Sequence, residues 1–314
     1  MKVYEGLESF VKLERAVVTS GTFDGVHIGH QRILSRLDEI AHKNSGESVL
    51  ITFWPHPRLV LYPEQSIRML SSIEEKKELL SRYGVDHLLI IPFTREFASL
   101  TSEQFIKEII VERIGTRKLV IGYNHRFGKN REGSFEVLKT DAPIYGFEVE
   151  EIPKQMVEHV GVSSTKIRKA LEEGQIEISN EFLGRPYSLR GEVKAGERLG
   201  RTLGFPTANM HISFEYKLIP ADGIYAVRVI HDGRVYGGML NIGFRPTFKG
   251  TERRIEVHIF NFDLEIYGQQ LEVNFYRQIR KEIHFASAEA LVQQLRRDKQ
   301  AVEEVLATIP PYPA

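Results

Sequence analysis

The sequence contains no cysteine, which excludes disulfides, thiol nucleophiles and cysteine-ligated zinc or iron–sulfur sites. It also has no net charge, because 42 Lys and Arg balance 42 Asp and Glu. A neutral chain argues against nucleic acid or a membrane surface as the main partner, since both attract an overall excess of base. A local cluster of cations would still serve a small anionic ligand. No apolar run approaches the length of a membrane-spanning helix, and the opening MKVYEGLESF lacks the charged-then-apolar layout of a secretory leader. The expected location is therefore the cytoplasm. What the 314 residues do contain, 42% hydrophobic and 27% charged, suits a soluble globular chain of about two domains.

Through residue 183, strand-like and helix-like stretches alternate. Ala16–Ser20, Val49–Phe53, His87–Pro92 and Lys118–Gly122 read as strands. Gln31–Lys43, Ile73–Tyr83, Thr101–Arg113, Ser164–Glu172 and Glu177–Leu183 read as helices. This alternation predicts βαβ units on a parallel sheet. After Gly184-Arg185-Pro186 the pattern changes. Leu189–Val193, Gly223–Ile230, Arg234–Ile242, Arg254–Asn261 and Gln270–Ile279 read as strands, and a helix over Ser287–Ala307 closes the chain. Asp232-Gly233 predicts a tight hairpin, because both residues tolerate positive φ. The expectation is an α/β domain over 1–182 and a small antiparallel barrel with a C-terminal helix over 183–314.

Chemistry concentrates first in Gly21-Thr22-Phe23-Asp24-Gly25-Val26-His27-Ile28-Gly29-His30, between the first strand and the first helix. Its glycines permit close approach of a ligand. His27 and His30 share one face of a helix start, where free N–H groups and the dipole already favour phosphate. Two imidazoles there suit a triphosphate as charge builds during transfer; capping or core histidines are the alternative. In Ser163-Ser164-Thr165-Lys166-Ile167-Arg168 the serines read as caps. Lys166 and Arg168 in a first turn oppose the helix dipole unless a bound phosphate lies between. Arg113 to Arg131 carries six Lys or Arg and no Asp or Glu, which suits an anionic ligand or a solvated face.

The glycine–histidine stretch resembles the H-x-G-H signature of the nucleotidylyltransferase superfamily. Its longer form, G-x-F-D-G-V-H-x-G-H, is similar to the flavin branch. Thr52-Phe53-Trp54-Pro55-His56-Pro57 resembles that branch's T-F-x-P-H-P segment, and Gly122–Gly128 its G-x-N-x-x-F-G loop. Ser163–Arg168 resembles its S-S-T-x-I-R motif, about 135 residues beyond the histidines. The resemblance implies that His27 and His30 stabilise the α-phosphate and the leaving pyrophosphate. It further implies ATP-binding roles for Gly21, Phe23, Asp24, Gly29, Ser163, Ser164, Thr165 and Arg168, and flavin-binding roles for Pro55, Pro57, Asn124 and Arg126. No covalent intermediate is involved; the protein aligns the reactants and stabilises charge.

A second cluster begins at Gly196 and runs through Arg201 and Gly204 to Pro206-Thr207-Ala208-Asn209. Thr207 and Asn209 offer hard oxygen ligands of the kind magnesium accepts, although a polar turn would read the same way. In Arg254–Phe260 strict alternation puts Ile255, Val257 and Ile259 on one face and Arg254, Glu256 and His258 on the other. G-x-P-T-A-N resembles the riboflavin kinase signature, and the E-x-H-I pattern and Asn241–Phe248 are similar to two further segments of that family. The resemblance implies that Thr207 and Asn209 hold Mg2+ and the ATP phosphates, with Gly196, Arg201 and Gly204 in the ATP site. Glu256 is then the general base for the ribityl 5′-hydroxyl. His258 is structural, and Arg245 is a lesser candidate for phosphate.

Together the motifs span nearly the whole chain, in the order of bacterial bifunctional riboflavin kinase/FMN adenylyltransferases. The implied architecture is an α/β nucleotidylyltransferase domain, Rossmann-like with a parallel sheet, followed by a mainly β split-barrel riboflavin kinase domain with a C-terminal helix. The implied ligands are riboflavin, FMN, FAD, ATP and Mg2+, with neither nucleic acid nor membrane as partner. Trp54 and His125 are small departures within their motifs. Two other readings stay open: a nucleotidylyltransferase with a different phosphorylated acceptor, and a flavin-sensing binding protein without turnover. The P-T-A-N loop and Glu256 count against the first, and the full set of candidate catalytic residues against the second.

Overall fold

The computed structural model describes residues 1–65, 67–122, 126–152, 161–196, 199–247 and 250–310, with the backbone alone at 131, 199, 245–247 and 250–252. The chain forms two compact units, Met1–Ser164 and Thr165–Ala314.

The first unit is built on a six-stranded sheet of β1 (Lys2–Glu5), β2 (Ala16–Ser20), β3 (Glu47–Trp54), β4 (His87–Pro92), β5 (Thr116–Gly122) and β6 (Glu148–Ile152). The strand order is β1-β4-β3-β2-β5-β6, and every pairing is parallel. The central strands are apolar on both faces, as a sheet covered by helices requires. Val17, Leu50, Leu88 and Val120 pack against the Ile28–Lys43 and Ile73–Ser81 helices through Leu34, Leu37 and Leu80. Val18, Ile51, Leu89 and Ile121 face Ile106, Ile110 and Leu138 on the other side. The Phe105–Ile114 segment of that second layer is wound as a π-helix, and Phe135–Tyr145 is α-helical. Strand order reverses at β2: β3 and β4 lie to one side, β5 and β6 to the other. In such sheets the crevice at the carboxyl ends of the strands, at the reversal, is where ligands bind.

In the second unit, helices Ser164–Glu172 and Ile176–Leu183 lead into a closed barrel ordered β10-β11-β8-β7-β12-β9. Its strands are β7 (Tyr187–Lys194), β8 (Ala208–His211), β9 (Gly223–His231), β10 (Arg234–Thr247), β11 (Gly250–Ile259) and β12 (Gln270–Arg280). Closure gives every strand a paired neighbour on each side. The second of these helices is tied to the barrel. Asn180 donates to the Phe275 carbonyl and accepts from the Tyr187 N–H, both at 2.8 Å. The Asp232-Gly233 hairpin has both residues at positive φ, 47° and 71°, between paired His231 and Arg234. The Ala288–Ala307 helix lays Val292, Leu295 and Val302 on Phe205, Ile224 and Met239. Asp298 of that helix, itself buried, takes both Nε and Nη2 of Arg280 at 2.7–3.0 Å.

Candidate active sites

In the first unit the chain leaves β2 at Ser20 and turns into the Ile28–Lys43 helix over seven residues that are clamped from several directions. Thr22 O accepts from Lys76 Nζ at 2.7 Å and Thr52 Oγ1 at 3.3 Å. The Asp24 carboxylate accepts from the Leu70 and Ser71 N–H groups at 3.1 Å, and Asp24 O accepts from Ser164 Oγ at 3.0 Å. Phe23 and Val26 are both buried at positive φ, 46° and 40°, a region that bulky residues enter only when their surroundings force it. A Cβ on Gly25, at φ 79°, would lie 2.7 Å from Leu70 Cδ1, so the tightest corner admits no side chain.

This clamped loop delivers the two histidines. His27 is the N-cap of the helix, and its Nδ1 accepts from the His30 N–H at 3.3 Å, so the neutral ring carries its proton on Nε2. The His27 and His30 rings stack, with centroids 3.7 Å apart and planes 15° from parallel. Capping and ligand contact are therefore compatible for His27 rather than alternatives. His30 Nδ1 is buried with no hydrogen-bond partner among the described residues. Burial, with help from His27 and Lys76, holds the His30 imidazole well below the usual range. An unpartnered buried ring nitrogen at a helix N-terminus is an arrangement that a phosphate oxygen would complete.

The other described candidates of this unit follow the carboxyl ends of β2, β3 and β5 or lie near its last residue, Ser164. Gly21 and Gly29 flank the loop. Asp24 is enclosed, and its carboxylate is engaged by Leu70 and Ser71 as described, so it shapes the loop. Pro55 and Pro57 follow β3; between them His56 caps the Pro57–Leu61 helix by accepting from the Arg58 N–H at 3.1 Å. Asn124 lies outside the described residues. Arg126 is exposed beyond β5. The basic run from Arg113 to Arg131 does not form one anion-binding face. Arg113 donates to the Leu7 carbonyl, while Arg117 and Lys118 pair with Glu148 and Glu150 near the amino end of β5, away from the ligand edge. The S-S-T-x-I-R motif straddles the two units: Ser163 and Ser164 belong to the first, Thr165 and Arg168 to the second. One residue not singled out from sequence is Lys76, which sits in a charged helical stretch, Glu74-Glu75-Lys76-Lys77-Glu78, that reads as solvent-facing.

In the second unit, P-T-A-N is not simply a turn. Ala208–His211 is strand β8, lying between β7 and β11. Its register sets Asn209 opposite Glu256 of β11, and Glu256 is in turn opposite Asn241 of β10. Opposed residues in an antiparallel pair point to the same face, so Asn209, Glu256 and Asn241 form one polar row across three strands. Asn241 Oδ1 is buried with no partner among the described residues. The loop ahead of β8 closes on this row. A Cβ on Gly196 would lie 2.1 Å from Asn209 Nδ2, and one on Gly200 would lie 2.2 Å from Phe205 O and 3.4 Å from Thr207 Oγ1. His258 Nδ1 donates to the Pro206 carbonyl at 2.8 Å and packs edge-on to Phe205, which fixes the start of the Thr207–Asn209 stretch. Burial lowers the His258 pKa, consistent with a neutral structural group. Arg201 and Gly204 lie in the exposed part of the loop, and the Arg245 side chain lies outside what the structure describes.

The donor set fits magnesium. Asn209 supplies a neutral hard oxygen directly opposite the Glu256 carboxylate, and Thr207 adds a hydroxyl oxygen two residues earlier. That suits an ion that keeps waters and takes its remaining ligands from nucleotide phosphates.

Comparison with known proteins agrees with both halves. The family model for FAD synthetase matches residues 10–166, and that for riboflavin kinase matches residues 183–306. A bifunctional riboflavin kinase/FMN adenylyltransferase of Buchnera aphidicola is 37% identical over 97% of this chain and 98% of its own. One from Escherichia coli K12 is 34% identical over 99% of this chain and 100% of its own. A crystal structure from Streptococcus pneumoniae, described as a macrolide-efflux protein, superposes with a TM-score of 0.87 at 32% identity over 96% of this chain and 98% of that one. In the present chain no helix among the described residues is long and apolar enough to cross a membrane. With both family models matched in order, and full-length relatives above 30% identity, the chain belongs to the bifunctional riboflavin kinase/FMN adenylyltransferase family.

Proposed function

We propose that the two polar constellations are the two active sites, one for each reaction of the family, with residues 1–182 as the adenylyltransferase module and 183–314 as the kinase module. In the first, ATP lies with its triphosphate over the N-terminus of the Ile28–Lys43 helix. The FMN phosphate attacks the α-phosphorus and pyrophosphate leaves. His27 and His30 donate to oxygens that gain charge in that step, and Gly21, Phe23 and Gly29 let the backbone approach the nucleotide. Asp24 acts by holding the loop. Ser163, Ser164, Thr165 and Arg168 complete the ATP contacts, and Pro55, Pro57, Asn124 and Arg126 those to the flavin. The stacked histidine pair with an unpartnered buried nitrogen, at the strand-order reversal, carries this reading.

In the second, Glu256 takes the proton from the riboflavin 5′-hydroxyl as that oxygen attacks the γ-phosphorus of ATP. Thr207 and Asn209 hold Mg2+, which when bound neutralises charge on the phosphates. Gly196, Arg201 and Gly204 shape the loop that receives the nucleotide. The cross-strand opposition of Glu256 and Asn209 carries this reading. The ligands are thus riboflavin, FMN, FAD and ATP, all small molecules available in the cytoplasm. The test is a pair of variants: His30→Ala abolishes FAD formation and spares FMN formation, while Asn209→Ala does the reverse when FMN is supplied. Loss of both activities in either folded variant contradicts the two-site assignment.

A further inference from the structure

Lys76 has no part in either reaction as assigned, yet it is 2% exposed and its ammonium is directed at the adenylyl-transfer loop. Burying a lysine is costly, and an uncharged residue of similar length would fill the same space without that cost. Among the described residues its one hydrogen bond runs from Nζ to Thr22 O, at 2.7 Å. It also lies 5.5 Å from the Trp54 ring centroid. The titrating groups around it are Asp24 of the loop and His30 of the helix start, which His27 faces in turn; on its own helix the Glu75 carboxylate is occupied by the Ser72 N–H at 2.8 Å. Burial pulls the Lys76 pKa down to about 8, with Asp24 opposing, so the cation persists at neutral pH close to its limit.

We propose that Lys76 is a positioning residue for adenylyl transfer: through Thr22 it fixes the entry of the glycine loop, and it holds a fixed positive charge beneath that loop where the ATP phosphates arrive. The inference rests on the assignment of the histidine pair to that reaction. Before ligand arrives, burial opposes a proton on His30, and His27 and Lys76 add to that. Incoming phosphate charge offsets that repulsion, so the ring turns toward its charged form only when there is an anion to meet it. A fixed positive charge beneath the loop also needs no reorganisation when the phosphates bind.

The test uses the full chain as Lys76→Met, Lys76→Arg and His30→Ala, with FMN and ATP as substrates and the His30 ring followed by proton NMR through a pH titration. Lys76→Met is expected to lower kcat for FAD formation about tenfold or more, with KM for FMN within about twofold, because it disturbs alignment rather than binding. The His30 midpoint is expected to rise but to stay below that of an ordinary histidine, because burial and His27 still hold it down. Lys76→Arg restores the midpoint and part of kcat. Riboflavin phosphorylation by the same samples reports that the chain is folded. A Lys76→Met protein with wild-type kcat overturns the proposal, as does lost kcat with an unmoved His30 midpoint, which marks a mere tether. Should Lys76→Met fail to fold, the wild-type profile decides: kcat for FAD formation falls as pH rises through about 8 if the cation is needed, and stays flat if it is not. If His30→Ala itself keeps making FAD, the site assignment fails rather than the role of Lys76.

Discussion

Glu256 and Asn209 are directly opposed across the β11–β8 pair, so the proposed base and the proposed metal donor leave the barrel wall side by side. Opposed residues of an antiparallel pair have Cβ atoms roughly 4.5–5.5 Å apart, a spacing that lets one small group meet both side chains. Replacing Glu256 by Gln keeps the size and removes the proton acceptor. Riboflavin phosphorylation should fall by about 10²–10⁴-fold while FAD formation from supplied FMN is unchanged. Steady-state rates for the two half-reactions check this.

The glycine at 196 gives a second, steric test of the same row. A Cβ there would sit 2.1 Å from Asn209 Nδ2, so Gly196→Ala must displace the amide. Kinase activity should drop toward that of Asn209→Ala, with KM for ATP–magnesium raised, while the melting temperature changes little because Gly196 lies in a surface loop. A Gly196→Ala enzyme with wild-type KM and kcat contradicts the placement of Asn209.

Asp24 separates a structural role from a phosphate-binding one. Its buried carboxylate receives the Leu70 and Ser71 N–H groups, and Asp24→Ala leaves both without an acceptor. Each orphaned donor costs about 1–3 kcal/mol, so denaturant unfolding of the first unit should show a loss of a few kcal/mol. Asp24→Asn keeps one acceptor oxygen and should lose less. If Asp24→Ala weakened ATP binding with stability intact, the carboxylate would be acting on the ligand.

His30 makes the first unit acid-sensitive. Its folded-state pKa lies well below the ordinary value of 6.5, so between the two the unfolded chain binds the proton that the folded chain refuses. Stability from this group is full above about 6.5 and declines as pH falls toward the folded pKa. His30→Gln should flatten that part of the stability–pH curve, measured by urea melts at several pH values. An unchanged slope would mean that His30 titrates normally.

The C-terminal helix is anchored by the Arg280–Asp298 pair, which is bidentate and buried on the Asp298 side. Asp298→Ala leaves the guanidinium without its partner and should destabilise the barrel unit by about 3–5 kcal/mol. FAD formation from FMN, read at a temperature where the first unit stays folded, should be spared.

Much of this was legible in the sequence, for physical reasons that differ by element. Ala16–Ser20 and His87–Pro92 appear as strands with the expected bounds, since short apolar runs flanked by polar residues have few other uses. The Asp232-Gly233 turn followed from φ tolerance alone. Strand β8 was hidden because four residues with one buried side chain, Met210, carry little periodicity; its pairing with β7 and β11 makes it a strand. Strand β6, Glu148-Val149-Glu150-Glu151-Ile152, was masked by carboxylates that pair with Arg36, Arg117 and Lys118. Lys76 looked like one more charge on a solvated helix, and only packing shows that it faces inward. In the basic run, charge density along the chain did not reveal that Arg117 and Lys118 pair with carboxylates of β6 or that Arg113 donates to the Leu7 carbonyl.

The two-site assignment is tested most directly by a time course of purified full-length protein with riboflavin, ATP and Mg2+, the flavins being separated by chromatography. FMN should accumulate first and FAD follow, and His30→Ala should stop the series at FMN. FAD formation by His30→Ala at the wild-type rate, or no conversion of riboflavin by the wild type, would contradict it.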